Sequence, residues 1–182
     1  MADWVWGTIS AFASLPVFAG FVVVSLLFIF VLFPLTKRHY PKIRTLDADP
    51  WGFSVRDADF TLGLMDERQL RAYRKQELFT DMLFPAVYGI GFAVAMVLLA
   101  RYTGAPRWLV LLPIVVMLAD YLENISILSM IGNRLRGQGI GGMAGVGSIA
   151  SRVKHFLLVA TLLVLLGLCA YGVWRRFAPP EL

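Results

Sequence analysis

The sequence predicts an all-α polytopic membrane protein with four transmembrane helices and an interfacial cytoplasmic helix before the second span. Three observations carry that prediction. Of the 182 residues 58% are hydrophobic and only 16% charged, well away from the balance of a soluble domain. The apolar residues fall in runs long enough to cross a hydrocarbon core of ~30 Å, which takes about 20 helical residues at ~1.5 Å each. The basic residues are gathered beside the ends of those runs, where a membrane protein places them.

The whole chain reads as a single membrane domain, 1–182. The first span is expected over about 8–34, inside a stretch from Trp4 to Thr36 that holds no Asp, Glu, Lys or Arg. Met1 to Gly7 contains no basic residue and the apolar run exceeds the ~7 to 15 residues of a signal core, so it reads as a retained span. Pro16 and Gly20 lie in its first half, where a kink would be tolerated if neighbouring helices satisfy the freed backbone groups. A cytoplasmic segment, 37–79, follows, with Pro41 and Pro50 favouring extended chain. Ser54 with Asp57, and then Asp66 with Glu67, have the form of helix starts. Leu70, Tyr73, Glu77 and Asp81 recur at three to four residues with Arg71, Arg74 and Lys75 between them, which predicts an interfacial helix running into the second span, 80–100. In that span Gly89 with Ala93, and Gly91 with Ala95, are small residues spaced for close helix packing. The third span is expected at 108–131, a Gly-rich cytoplasmic loop at 132–155, and the fourth span at 156–174.

Orientation follows from the basic residues. Of the 17 Lys and Arg, thirteen lie in the two segments 37–79 and 132–155, and the other side has only Arg101, Arg107, Arg175 and Arg176. Both loops are therefore expected in the cytoplasm and both termini outside, in a bacterial inner membrane. Trp4, Trp6, Trp108 and Trp174 then fall at the outer face as interfacial anchors.

Several functions are excluded. The net charge of +5 is explained by orientation and contact with anionic lipid, so no nucleic-acid partner is expected. GQGIGG, from Gly137 to Gly142, is a literal G-x-G-x-x-G, but that motif works only between a strand and a helix N-terminus, and a membrane helix precedes it here. No Lys-Ser or Lys-Thr follows either, so no nucleotide is expected. Six glycines between Gly137 and Gly147 read as a mobile loop. Cys169 has no partner in the chain and reads as a packing residue.

One chemical feature stands out, the cluster Asp120, Glu123 and Asn124 inside the third span. An ionisable group at mid-membrane costs at least ~2.5 to 3.5 kcal/mol on insertion scales, so it is a functional candidate by default. The spacing places all three on one helix face. Measured from the inner ends, Glu123 and Tyr88 both lie about eight residues, ~12 Å, into the membrane, and Asp81 would sit near Asn133. The candidate ligand-binding residues are thus Asp120, Glu123, Asn124, Tyr88 and Asp81. Two carboxylates three residues apart suit a shared proton, an acid and base pair or a relay. Equally, they suit a hydrogen-bonded knot fastening the bundle, or a ligand or lipid-headgroup site. No metal is expected, because a hard cation takes more oxygens than this set offers, and both histidines, His39 and His155, sit at cytoplasmic ends of spans. No cofactor is assigned.

From Phe53 to Asn124 the order of features resembles a group of small four-span membrane proteins in which an acid precedes an F-P-x-x-Y element and a later span carries D-x-x-E-N. The matching residues are Tyr73, Asp81, Pro85, Tyr88, Pro113, Asp120, Glu123 and Asn124. The resemblance implies the architecture and the site and carries no activity with it. Two functions from different classes follow from the residues. One is a non-enzymatic protein, either an accessory or assembly subunit alongside other membrane-protein subunits or a binder of a lipid-like molecule. The other is an intramembrane enzyme acting on a lipid or isoprenoid through Asp120 and Glu123, the candidate catalytic residues.

Overall fold

The structure is a computed structural model and describes residues 1–39, 43–48 and 51–177. The extended chain expected at Pro41 and Pro50 lies outside them. Among the described residues every regular element is helical: α1 (Ala2–Ser10), α2 (Leu15–Lys37), α3 (Val55–Gly63), α4 (Glu67–Thr103), α5 (Arg107–Leu135) and α6 (Met143–Phe177). Four of them, α2, α4, α5 and α6, are long and apolar enough to cross a membrane.

The centre of the bundle is α5, packed along α6 and against α4, while α2 packs on α4 and is almost wholly exposed. Close approach is achieved with small residues. A Cβ on Gly89 would stand 2.8 Å from the Cβ of Met117 on α5, and one on Gly91 would stand 3.0 Å from Phe21 on α2, so these glycines set the packing of α4 as their spacing predicts. Gly147 does the same for α6, where a Cβ would come 2.8 Å from Ser126 and 2.9 Å from Phe53.

The helices do not coincide with the spans read from hydropathy. The chain breaks at residues 11–14, and Pro16 takes its ordinary place in the first turn of α2. α6 begins at Met143, so half of the Gly-rich segment expected as a loop is helix. The turn before it is formed by Gly137, whose left-handed backbone (φ 71°) lets the amides of Gly137 and Gln138 donate to Arg134 and Asn133. Cys169 is exposed on the outer surface of α6 and packs against no core.

Two satellite cores cover the ends of the bundle. On one, α1 lies over α4 and α5 through Ile9, Val94, Val97 and Val110, with Arg101 donating to the carbonyl of Ser10 at 2.8 Å and Arg107 over the ring of Trp6. On the other, Leu46, Phe53, Leu62 and Tyr73 pack on Ile127, Met130 and Ile131 of α5. The polar segment between the first two spans is thus a folded cap. Both helix starts read from the sequence are capping boxes: Ser54 with Asp57, and Asp66 with Gln69. The Ser54 hydroxyl and amide hold the Asp57 carboxyl below its usual range.

Candidate functional site

The site begins at an irregularity in α4. Residues Glu77–Asp81 form a single π turn, four residues ahead of Pro85. Proline has no N–H, so the carbonyl of Asp81, four residues earlier, loses its helical donor. In hydrocarbon such an orphan costs several kcal/mol. The Asn124 side chain supplies the missing donor, with Nδ2 2.6 Å from the Asp81 carbonyl. One turn beyond Pro85, the Tyr88 hydroxyl donates to Asp120 Oδ2 at 2.7 Å. F-P-x-x-Y on one helix therefore docks on D-x-x-E-N of the other, group by group.

The third partner comes from α6. Lys154 Nζ donates to Asp120 Oδ1 at 3.2 Å and is in ion-pair contact with Glu123, whose side chain is fully buried. Lys154 is itself 8% exposed. It supplies the positive charge that a shared proton would otherwise supply, so Asp120 and Glu123 form an ion-paired triad with Lys154 in place of the expected proton-sharing pair. The sequence reading counts Lys154 among the loop cations because the apolar run starts only at Phe156. The signal that locates it is the stripe Ala144, Gly147, Ser151, Lys154 and Thr161, small or polar residues at helical spacing, all buried.

More acid surrounds this triad. Gln76 donates to Asp81 Oδ2 at 2.9 Å, and Tyr73 donates to Asp47 Oδ1 at 3.3 Å while accepting from the amide of Leu46. Glu77 is fully buried, and among the described residues neither of its oxygens has a hydrogen-bond partner. Sequence spacing expected Glu77 on an interfacial face; the cap folded over it buries it instead. Asp81 also lies elsewhere than expected. It meets Asn124, not Asn133, and Tyr88 meets Asp120, not Glu123, because α4 and α5 both run past the hydropathy ends used to match their depths.

A cavity of about 450 Å³ opens beside the triad. Asp47, Asp81, Asp120, Asn124, Lys154 and His155 line one end, whereas Glu123 does not reach it. His155 Nδ1 lies 2.8 Å from the carbonyl of Ser151, which only accepts, so that nitrogen carries a proton and Nε2 is the remaining ring position. Apart from Ser25 and Tyr88, the rest of the wall is apolar. It follows α2 from Phe18 to Phe33, roughly 22 Å by helical rise, and faces Phe84 and Phe92 of α4 and Leu158 of α6. The rim residues Val22, Leu26 and Ile29 of α2 and Leu162 of α6 are exposed, so the slot opens sideways between the first and fourth spans. Among the described residues no group of three or more His, Cys, Asp and Glu is arranged to hold a metal ion.

Comparison with protein-family models, with curated proteins and with solved structures finds no match to this chain.

Proposed function

We propose that this integral membrane protein binds a lipid-like amphiphile, which enters the slot sideways from the bilayer and sets its polar end beside Asp120, Asn124 and Lys154. The observation that carries this reading is the division of one cavity into an acid-rich end and an apolar trough about 22 Å long, of a volume usual for small-molecule sites. The amphiphile's chain replaces lipid against α2 and α4. Its headgroup meets the carboxyl groups of Asp47 and Asp81 and the ring of His155, with Lys154 already engaged by Asp120 and Glu123. A headgroup rich in donors, hydroxyl or amine, fits that end, and a phosphate does not. In this reading both termini lie outside a bacterial inner membrane and the polar end faces the cytoplasmic half. Asp120 and Asn124, on which the likeness to the small four-span group rests, are then binding residues, and Tyr88 orients Asp120. Catalysis through Asp120 and Glu123 together has less support, since Glu123 is sealed behind Lys154.

The test is lipid analysis of the protein purified in mild detergent, for the native chain and for Ser25→Trp, which fills the trough from α2. A neutral or amine-bearing amphiphile in near-stoichiometric amount, lost from the variant, is the expected result. Equal retention by both proteins, or phosphate-headed lipids as the sole species displaced by the variant, would sink the reading.

A further inference from the structure

A second cleft, of about 510 Å³, lies between the end of α2 and the first turns of α4, and its chemistry is the reverse of the slot's. Arg68, Arg71 and Lys75 project into it from one face of α4, at intervals of three and four residues, and His39 faces them from beyond α2. Arg71 is already paired with Glu67 at 2.5 Å. Among the described residues Arg68 and Lys75 are exposed and make no ion pair or side-chain hydrogen bond, so two full positive charges point at one space. Two exposed apolar side chains flank it, Leu35 of α2, 45% exposed, and Phe79 of α4, 62% exposed, while the buried Gln76 and Thr80 lie deeper in its lining.

We infer that this cleft is a binding site for an anionic phospholipid, with the headgroup phosphate between Arg68 and Lys75 and the first part of an acyl chain over Leu35 and Phe79. Each half of the cleft argues for one half of that ligand. Guanidinium and ammonium groups without counter-ions are complementary to a phosphate. A free anion would leave Leu35 and Phe79 in water, whereas a phospholipid covers them. The position agrees as well, because the cleft straddles the end of the apolar part of α2, which closes with Thr36 and Lys37, and phosphates of a bilayer lie at that level. Selection of one lipid class at a defined place goes beyond the diffuse attraction that basic residues near a membrane exert, and it does not depend on the occupant of the slot.

The experiment uses the full chain in a neutral detergent, titrated with phosphatidylglycerol, phosphatidylcholine or inorganic phosphate, with bound lipid counted by native mass spectrometry. One phosphatidylglycerol is expected to bind in preference to phosphatidylcholine. Arg68→Gln with Lys75→Gln should weaken it by about 30-fold, the attraction of two basic residues to an anionic lipid surface. Arg56→Gln with Arg176→Gln removes the same net charge elsewhere and should leave binding within about twofold of the native chain, if position and not charge alone decides. Equal binding of phosphatidylcholine, equal losses in both double variants, or no loss in the first would overturn the inference. Displacement of the lipid by millimolar phosphate would also overturn it, by making the cleft a site for free anions. Both substituted residues are exposed and unpaired, so an unchanged tryptophan-fluorescence melt of the lipid-free variant will show that the fold is intact.

Discussion

Replacing Lys154 by methionine keeps an unbranched side chain one atom shorter and removes its charge, which leaves Asp120 and Glu123 facing each other without a cation. Lys154 stands 3.2 Å from Asp120 and closer still to Glu123. At an effective dielectric of about 20, a pair at the first distance is worth roughly 5 kcal/mol of Coulomb attraction. Much of that offsets the removal of three charges from water, so the cost of the variant is set by the uncompensated carboxylates, about 3 to 5 kcal/mol. Lys154→Met should therefore lower the thermal midpoint in detergent sharply. Lys154→Met combined with Asp120→Asn and Glu123→Gln removes all three charges and should recover most of the loss, because a neutral hydrogen-bonded set needs no counter-ion. The assay is unfolding followed by tryptophan fluorescence at fixed detergent and protein concentration. A single variant as stable as the native chain, or a triple variant no better than the single one, would refute the triad as the fastening of α5 to α6.

Three further outcomes follow from other contacts. Asn124→Ala should cost about 1 to 3 kcal/mol by orphaning the Asp81 carbonyl, and Pro85→Ala, which restores an N–H at that position, should reduce the cost of Asn124→Ala; additive melting shifts would refute the pairing of Pro85 with Asn124. Gly147→Leu should destabilise the chain by at least about 1 to 3 kcal/mol, since even a Cβ meets Ser126 and Phe53 within 3 Å, and a native melt would contradict the close approach of α6 to α5. Ser54→Ala should fray the start of α3 by about 1 kcal/mol, seen as faster amide exchange over 55–58. Because the Asp57 carboxyl is held below its unfolded value, its contribution to that cap is present above the unfolded value and is lost as pH falls through the folded one, so protection there should drop on acidification in the native chain and less in Ser54→Ala.

The parts of this molecule that sequence makes legible are those with a local physical signature. Long uncharged runs identify three of the spans and a long apolar run interrupted by acids the fourth, and Ser54–Asp57 and Asp66 announce helix starts through spacing alone. Asp120, Glu123 and Asn124 declare themselves because charge in an apolar helix is costly. What stayed hidden is long-range. Lys154 sits in sequence beside Arg152 and His155 after a glycine-rich tract, and only the extension of α6 back to Met143 carries it into the bundle. Glu77 reads as a surface residue until the cap closes over it. The register between α4 and α5 is fixed by which carbonyl Pro85 leaves free, and hydropathy ends contain no such information. With hindsight the acid four residues before Pro85 and the asparagine four after Asp120 could have been paired on that ground.

The linings of the two cavities meet at the π turn in α4. Gln76 borders the basic cleft, and its amide donates to Asp81, which borders the acidic slot. If both cavities bind lipids as proposed, a headgroup would be sorted by repulsion as much as by attraction. Phosphate that reaches the slot meets Asp47, Asp81 and Asp120, and an amine that reaches the cleft meets Arg68 and Lys75. Opposite charge on neighbouring turns gives each site a reason to reject the other's ligand. A bilayer consisting mainly of phospholipid would then keep the cleft filled while leaving the slot open to a scarcer, donor-headed amphiphile. The Gln76–Asp81 bond is a side-chain link through which occupancy of the cleft can reach the slot, so Gln76→Leu should leave each site's selectivity in place and weaken any dependence of slot binding on added phosphatidylglycerol.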